Sequence, residues 1–275
     1  MDNKEILKLI ENISPGGRDY VEEGFKNNVV KVLFSLETEQ NKGVFIMVDN
    51  DDCCIFYASF LNENNIDEIL EIIKDKTNGY TSKANSKEIC FNVYGNNPKI
   101  IDLIRELGFK TDMEGYWLEY ASEELLELKQ CNLSDRGFEE LRIDDFVDLF
   151  DSAYYQLRID NGWSVNGYAS NTEHFCNRLI DLDKCNQVRS FWQNDQLVGA
   201  YILKQNYIYD IVVRPIFQNR GYGSYILAHA IRNLRKNKSI NKIILGVVKS
   251  NINAKRFYAR NGFVQISSYA EHTYR

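Results

Sequence analysis

Two separated stretches of the chain carry the same order of hydrophobic and polar positions. In the first, Glu88 to Tyr94 is rich in β-formers, and Gly95-Asn96-Asn97-Pro98 can turn the chain into a helix. Asn97 reads as its N-cap and Pro98 as its first residue, with Ile100, Ile101, Ile104 and Leu107 recurring at helical spacing before Gly108. In the second, Lys242 to Val248 is the β-rich run, Ser250 to Asn253 the turn, and Ala254, Phe257 and Tyr258 line a helix that Gly262 stops. Each stretch then returns as a strand, through Tyr116-Trp117-Leu118 and through Ile266 to Tyr274. Subtracting 108 from 262 gives an offset of 154, and in that register Ile89, Val93, Asn97, Gly108, Phe109 and Tyr120 coincide with Ile243, Val247, Asn251, Gly262, Phe263 and Tyr274 without a gap. A strand, helix, strand unit used twice predicts two domains of similar fold. The boundary is placed in the polar, acidic segment Ala121 to Arg136, giving domains 1–125 and 126–275. The second opens on a helix carried by Ile143, Phe146, Val147, Phe150 and Tyr154.

Between the repeats lies a different pattern. Tyr207 to Val213 has strand propensity, and Arg214-Pro215 ends it because proline has no N–H for the ladder. Gln218-Asn219-Arg220-Gly221-Tyr222-Gly223-Ser224 follows, and then Ile226, Leu227, Ala230, Ile231 and Leu234 form the apolar stripe of a helix. A strand, a glycine-bearing loop and a helix N-terminus form an anion site: the first turn leaves N–H groups unpaired, the dipole adds positive charge, and glycine admits close approach. A pyrophosphate suits it. The loop has neither the Gly-Lys-Ser/Thr ending of a triphosphate loop nor the GxGxxG of a dinucleotide fold.

Composition narrows the classes. Hydrophobic residues make up 44% and charged residues 26% of 275, a globular balance. The net charge of -6 provides no general attraction to nucleic acid or anionic membranes. No apolar run is long enough to cross a bilayer and no signal peptide is visible, so a cytoplasmic location is expected. The six cysteines form no CxxC pair, and adjacent Cys53 and Cys54 sit in a strand-like run where neighbours point to opposite faces, so free thiols are expected. His174, His229 and His272 lack metal-site spacing, and no metal is expected.

The segment Gln218-x-x-Gly221-x-Gly223, with its preceding strand and Pro215, resembles the acyl-CoA loop of the GNAT superfamily of N-acyltransferases. The hairpin Phe191 to Leu203, with Asn194-Asp195 at its tip, resembles that family's second and third strands. Asn251-x-Asn253-Ala254-x-Arg256-Phe257-Tyr258 before Gly262-Phe263 resembles its fourth helix. The likeness covers about residues 135 to 275. It implies an α/β (α+β) fold, two tandem GNAT-like domains, each a mixed, mostly antiparallel twisted sheet flanked by helices. The first copy is degenerate and structural: Phe60 to Ile73 has no glycine loop, and Ile104 takes the place of Tyr258.

The resemblance further implies that acetyl-CoA lies in a V between the fourth and fifth strands. There, main-chain groups of Ile211, Val212 and Val213 would face the pantetheine arm, and Gln218, Asn219, Arg220, Gly221, Tyr222, Gly223 and Ser224 the pyrophosphate. Asn253, Arg256 and Phe257 would complete the cofactor site. Tyr258 is the expected general acid and Asp210 the expected general base, with Glu173 and the C-terminal carboxylate as weaker candidates for the base. The mixed segment Arg158 to Tyr168, with Trp163, is expected to shape the acceptor site. The implied activity is N-acetyl transfer to a primary amine of a small molecule or peptide, by direct attack in a ternary complex, from a monomer or homodimer. The alternative is a non-catalytic CoA-binding or protein-interaction module.

Overall fold

The computed structural model describes residues 1–82, 87–95, 97–122, 124–128 and 131–274. Asn96 of the first turn and the C-terminal carboxylate lie outside the described residues. The chain forms two compact units, Met1–Trp117 with Gln265–Arg275, and Leu118–Val264.

Unit 1 begins with helices α1 (Asn3–Glu11) and α2 (Pro15–Lys26), followed by strands β1 (Val30–Glu37), β2 (Lys42–Asp49) and β3 (Cys53–Phe60). Helix α3 (Ile66–Thr81), strand β4 (Glu88–Tyr94), helix α4 (Pro98–Glu106) and strand β5 (Phe109–Tyr120) complete its first stretch. The strand order in this unit is β1-β2-β3-β4-β11-β5, where β11 is the last strand of the chain, Phe263–Tyr274. Local chemistry sets the helix starts. Asp2 and Glu5 form a reciprocal capping box on α1, and Ser14 accepts from the Gly17 N–H ahead of α2, each contact contributing about 1 kcal/mol. On one face, Phe45, Phe56 and Phe91 stack with centroids 5.5 to 5.7 Å apart beneath α3 and α4. On the other, Ile46, Val48 and Tyr57 pack against α1 and α2.

Unit 2 holds β6 (Ser134–Arg136), α5 (Ile143–Asp160), α6 (Thr172–Lys184), the hairpin β7 (Val188–Gln193) and β8 (Gln196–Lys204), β9 (Tyr207–Val213), α7 (Tyr222–Arg235), β10 (Ile244–Val248) and α8 (Ile252–Arg260). Its strand order is β10-β9-β8-β7-β6, antiparallel except for β10 with β9. The hairpin tip falls on Asn194 and Asp195, both with positive φ, as a tight two-residue turn requires. The expected stripe of α5 is its buried face: Phe146, Val147 and Phe150 pack with Phe175 and Leu179 of α6 and Trp192 of β7.

The internal repeat is structural. Helices α4 and α8 have nine residues each, strands β5 and β11 twelve each, and their first residues are 154 positions apart. Gly108 and Gly262 both stop their helix with φ near +90° (94° and 85°). The copies also exchange the ends of their last strands. Tyr269 to Thr273 of β11 pairs antiparallel with β4, so the end of the expected 126–275 segment belongs to unit 1. Tyr274 packs on Phe109 at 5.2 Å in unit 1, and Tyr120 on Phe263 at 5.3 Å in unit 2. Asn97 differs from the expectation. Its side chain makes no cap bond and instead donates from a buried position to the carbonyls of Phe60 and Tyr94, both at 2.9 Å. Its counterpart Asn251 does cap, accepting from the Ala254 N–H at 3.1 Å.

Candidate active site

One extra residue in β9 shapes the centre of unit 2. Strand β8 pairs Ile202 with Asp210 but Leu203 with Ile208, so Tyr209 is a β-bulge. A bulge bends its strand and increases the local twist. On the other side of β9, the parallel ladder to β10 consists of Ile244 with Tyr207 and Leu245 with Ile208, and it ends where the bulge begins. Beyond that point the backbone of Asp210 to Val213 has no ladder partner from β10. Unit 1 has no such break: β3 pairs with β4 continuously from Cys53 with Glu88 to Ala58 with Val93, and with β2 without a register shift.

At the far end of β9 the chain turns into α7. Asn219 (φ 61°) and Gly221 (φ 86°) adopt the left-handed conformation, which glycine reaches without strain and which aims the loop N–H groups outward. The first backbone bond at this end of α7 runs from the Tyr225 N–H to the Gly221 carbonyl, so the N–H groups before it lie at the open end of the helix. A Cβ built on Gly221 would meet nothing within 4 Å, so the space beside it is open. Gln218 is tied back to β9, its amide donating to the Val213 carbonyl at 2.9 Å. Strand ends with free backbone groups beside an open helix N-terminus suit a ligand with an amide-bearing arm and a pyrophosphate. In unit 1 the corresponding loop is tied to the β1–β2 connection. The Asn41 amide donates to the carbonyls of Asn62 and Asn64 at 3.2 and 2.9 Å, and no glycine is present.

The sequence-predicted residues fall into two groups. Ile211, Val212 and Val213 lie past the bulge, Gln218 to Ser224 form the loop, and Phe257 of α8 packs beside Gly223, 3.4 Å from where a Cβ there would be. Asn253 and Arg256 sit exposed on α8 with no hydrogen bond among the described residues, and Glu173 is exposed on α6. Asp210 and Tyr258 are buried close to one another, each 8% exposed. Asp210 is therefore not a rim carboxylate. Tyr154 of α5 donates to its Oδ1 at 2.6 Å. Burial raises the Asp210 pKa, while the Tyr154 hydrogen bond and the charges of Arg178 and Arg158 oppose that rise. Burial, and then the Asp210 charge, hold the Tyr258 hydroxyl well above the ordinary tyrosine range. That hydroxyl makes no hydrogen bond among the described residues.

The segment after α5 is built around one arginine. Arg158 donates to the Ser164 carbonyl at 2.8 Å, lies 3.6 Å from Asp151, and stacks its guanidinium 5.0 Å from the Tyr168 ring. Asp151 in turn accepts from the N–H groups of Tyr168 and Ala169. The Arg158 guanidinium lies against Gly167, so that a Cβ there would displace it from its present position. Asn161 reaches across to Ser250 at 2.9 Å, joining the end of α5 to the turn between β10 and α8. Two features of the site were not visible in the sequence. The bulge carries no glycine to mark it, and the bond from Tyr154 to Asp210 joins residues 56 positions apart. A tyrosine on the apolar stripe of α5 was the available signal, since a buried hydroxyl needs a partner.

The histidines lie away from Asp210 and Tyr258 in the hydrogen-bond network. His229 Nδ1 lies 3.1 Å from the Tyr201 hydroxyl, His272 Nδ1 lies 3.1 Å from the Phe91 carbonyl, and His174 is exposed. Among the described residues no cluster of ligand side chains could hold a metal ion, and the cysteines are free. No helix is long and apolar enough to cross a membrane.

The model of the acetyltransferase (GNAT) family matches residues 140–263. No curated protein matches the sequence. Among solved structures, a GCN5-related N-acetyltransferase from Sphaerobacter thermophilus superposes with a TM-score of 0.58 at 12% identity, over 84% of this chain and 76% of that one. A GNAT-family acetyltransferase from Colwellia psychrerythraea gives 0.55 at 12% identity, over 88% and 85%. A functionally unknown conserved protein from Staphylococcus epidermidis gives 0.51 at 18%, over 91% and 96%.

Proposed function

The chain belongs to the GNAT acetyltransferase family through unit 2, with unit 1 a divergent copy of the same fold, and from that premise we propose that it acetylates a primary amine. Acetyl-CoA would supply the acyl group as a thioester. The observation that carries this reading is the early end of the β9–β10 ladder at the Tyr209 bulge, next to the buried Asp210 carboxylate, whose charge acts on a buried Tyr258 hydroxyl with no hydrogen bond among the described residues.

Each residue has a part that follows from its position. The backbone groups of Ile211, Val212 and Val213 that point away from β8 would pair with the pantetheine amides, except the Val213 carbonyl, which accepts from the Gln218 amide. The N–H groups from Asn219 to Ser224 would hold the pyrophosphate, because the Gln218 N–H is already bonded to the Pro215 carbonyl. Both contacts fix the reacting carbonyl in place. Phe257, beside Gly223, would wall this channel, with Asn253 and Arg256 reaching it from the exposed side of α8. Asp210 takes a proton from the attacking amine. The nitrogen lone pair forms the new C–N bond, the C–S bond breaks, and Tyr258 donates its proton to the departing sulfur. A carboxylate whose pKa is raised by burial is a better base near neutral pH than an exposed one, and a tyrosine held protonated is a competent acid.

A binding module would not need the buried pair, whose desolvation costs stability. Unit 1 is consistent with this contrast: at the offset of 154 it carries Phe56 in place of Asp210 and Ile104 in place of Tyr258, both buried. We assign unit 1 a structural role. The test is thiol release from acetyl-CoA with amine acceptors, in wild type and Asp210→Asn. Asp210→Asn is expected to remove the acidic limb of the pH–rate profile along with most of the rate. An unchanged profile excludes Asp210 as the base.

A further inference from the structure

The arginines around the candidate site are used unequally. Arg158 is committed to Asp151, to the Ser164 carbonyl and to the Tyr168 ring. Arg142 is committed to Asp145 and Asp195. Arg178 of α6 has no ion pair or hydrogen bond among the described residues, in a chain with 39 acidic residues against 33 basic ones. Its guanidinium is nevertheless held, lying 4.5 Å from the centroid of the Tyr209 ring. Stacking on an aromatic face leaves the N–H edge of a guanidinium open for a planar, bidentate partner.

Tyr209 is the bulged residue and Asp210 follows it, so the stacked arginine is anchored to the backbone position next to the proposed base. The Arg178 charge draws the pKa of Asp210 down, which is the effect of a cation near that carboxylate. Arg178 is an unsuitable ligand for the cofactor phosphates. Tyr209 precedes Val213 by four strand residues, about 13 Å of extended chain, and the glycine loop lies beyond Val213. The guanidinium is thus held on the residue next to the carboxylate, whose Oδ1 accepts from the Tyr154 hydroxyl. A molecule that carries an amine and an anion a few bonds apart complements both.

We propose that the acceptor is an amine bearing an anionic group, a carboxylate in the simplest case, which Arg178 receives while Asp210 faces the amine. This deepens the acetyltransferase reading above and rests on it. The test is steady-state acetyl transfer to matched pairs that differ only in a carboxylate: phenylalanine against phenethylamine, leucine against 3-methylbutylamine, and glycine against methylamine. Each is run with wild type, Arg178→Ala and Arg178→Lys, beside a thermal shift with acetyl-CoA.

The carboxylated member of at least one pair is expected to have the lower KM. Measured on the alkaline plateau of the pH–rate profile, where Asp210 is ionised with or without Arg178, Arg178→Ala should raise that KM about 10- to 100-fold, the loss of a charge-assisted contact, with kcat little changed and the decarboxylated partner unaffected. Arg178→Lys should recover part of the loss. Equal or better transfer to the decarboxylated amines overturns the inference, as does an Arg178→Ala effect of the same size on both members of a pair. No transfer to any carboxylated amine, with the acetyl-CoA shift intact, also overturns it and leaves the acetyltransferase reading standing. Absence of the shift itself removes that reading, and this inference with it.

Discussion

Asp210 and Tyr258 place opposite demands on one buried volume, and each can be tested alone. Tyr258→Phe keeps the ring contacts with Phe257 and Phe263 and removes the proton donor, so turnover should fall by roughly 10² to 10⁴ while the KM for acetyl-CoA is held. Tyr154→Phe removes a hydrogen bond that lowers the Asp210 pKa, so the acidic limb of the pH–rate profile should move to higher pH. A static limb would mean that the base is another group. Because burial raises the folded-state pKa of Asp210 above its unfolded value, the folded state holds more protons between the two. Stability should therefore fall as pH rises through that window. Asp210→Asn is accordingly expected to melt no lower than wild type at neutral pH, although it loses activity. Asp210 and Tyr258 could be named from the sequence through the family resemblance, as the one carboxylate of the Tyr207–Val213 strand and as the tyrosine of the Asn251–Tyr258 motif. Tyr154 and Arg178 could not be, because their partners are brought to them only when α5 and α6 pack across the sheet.

At the scale of elements, one residue of strand separates the site region of unit 2 from its counterpart in unit 1. Tyr207 to Val213 reads as an unbroken β run, and a bulge without glycine leaves that reading unchanged, so the end of the ladder at Ile208 could not be foreseen from propensity. The loop was more legible. Positive φ at Asn219 and Gly221 and the open first turn of α7 are what an Asn and a Gly before an apolar helical stripe encode. Gly221→Ala isolates backbone from space, since nothing lies near its Cβ but its φ is 86°. It should cost about 1–2 kcal/mol of stability, read as a fall of a few degrees in melting temperature. An unchanged midpoint would show that the loop relaxes at no cost.

For the whole molecule, the repeat was readable and the exchange of strand ends was not. An offset of 154 in the sequence predicted two similar folds, and periodicity cannot report which unit a terminal strand joins. Pairing of Tyr269 to Thr273 with β4 makes a specific prediction for a chain ended at Val264. The amides of Cys90 to Tyr94 should lose hydrogen-exchange protection, because β4 becomes an edge. The acetyl-CoA shift should survive, since every proposed cofactor residue lies in Leu118–Val264.

The central claim is that the loop after β9 binds acetyl-CoA, and thermal denaturation with and without that ligand tests it without knowledge of the acceptor. At 100 times its dissociation constant the ligand should stabilise the wild type by about 2.7 kcal/mol, and a folded Gly221→Glu variant, with a carboxylate in the phosphate position, should show no shift. A wild type that acetyl-CoA does not shift, or a Gly221→Glu variant that shifts equally, would contradict the account.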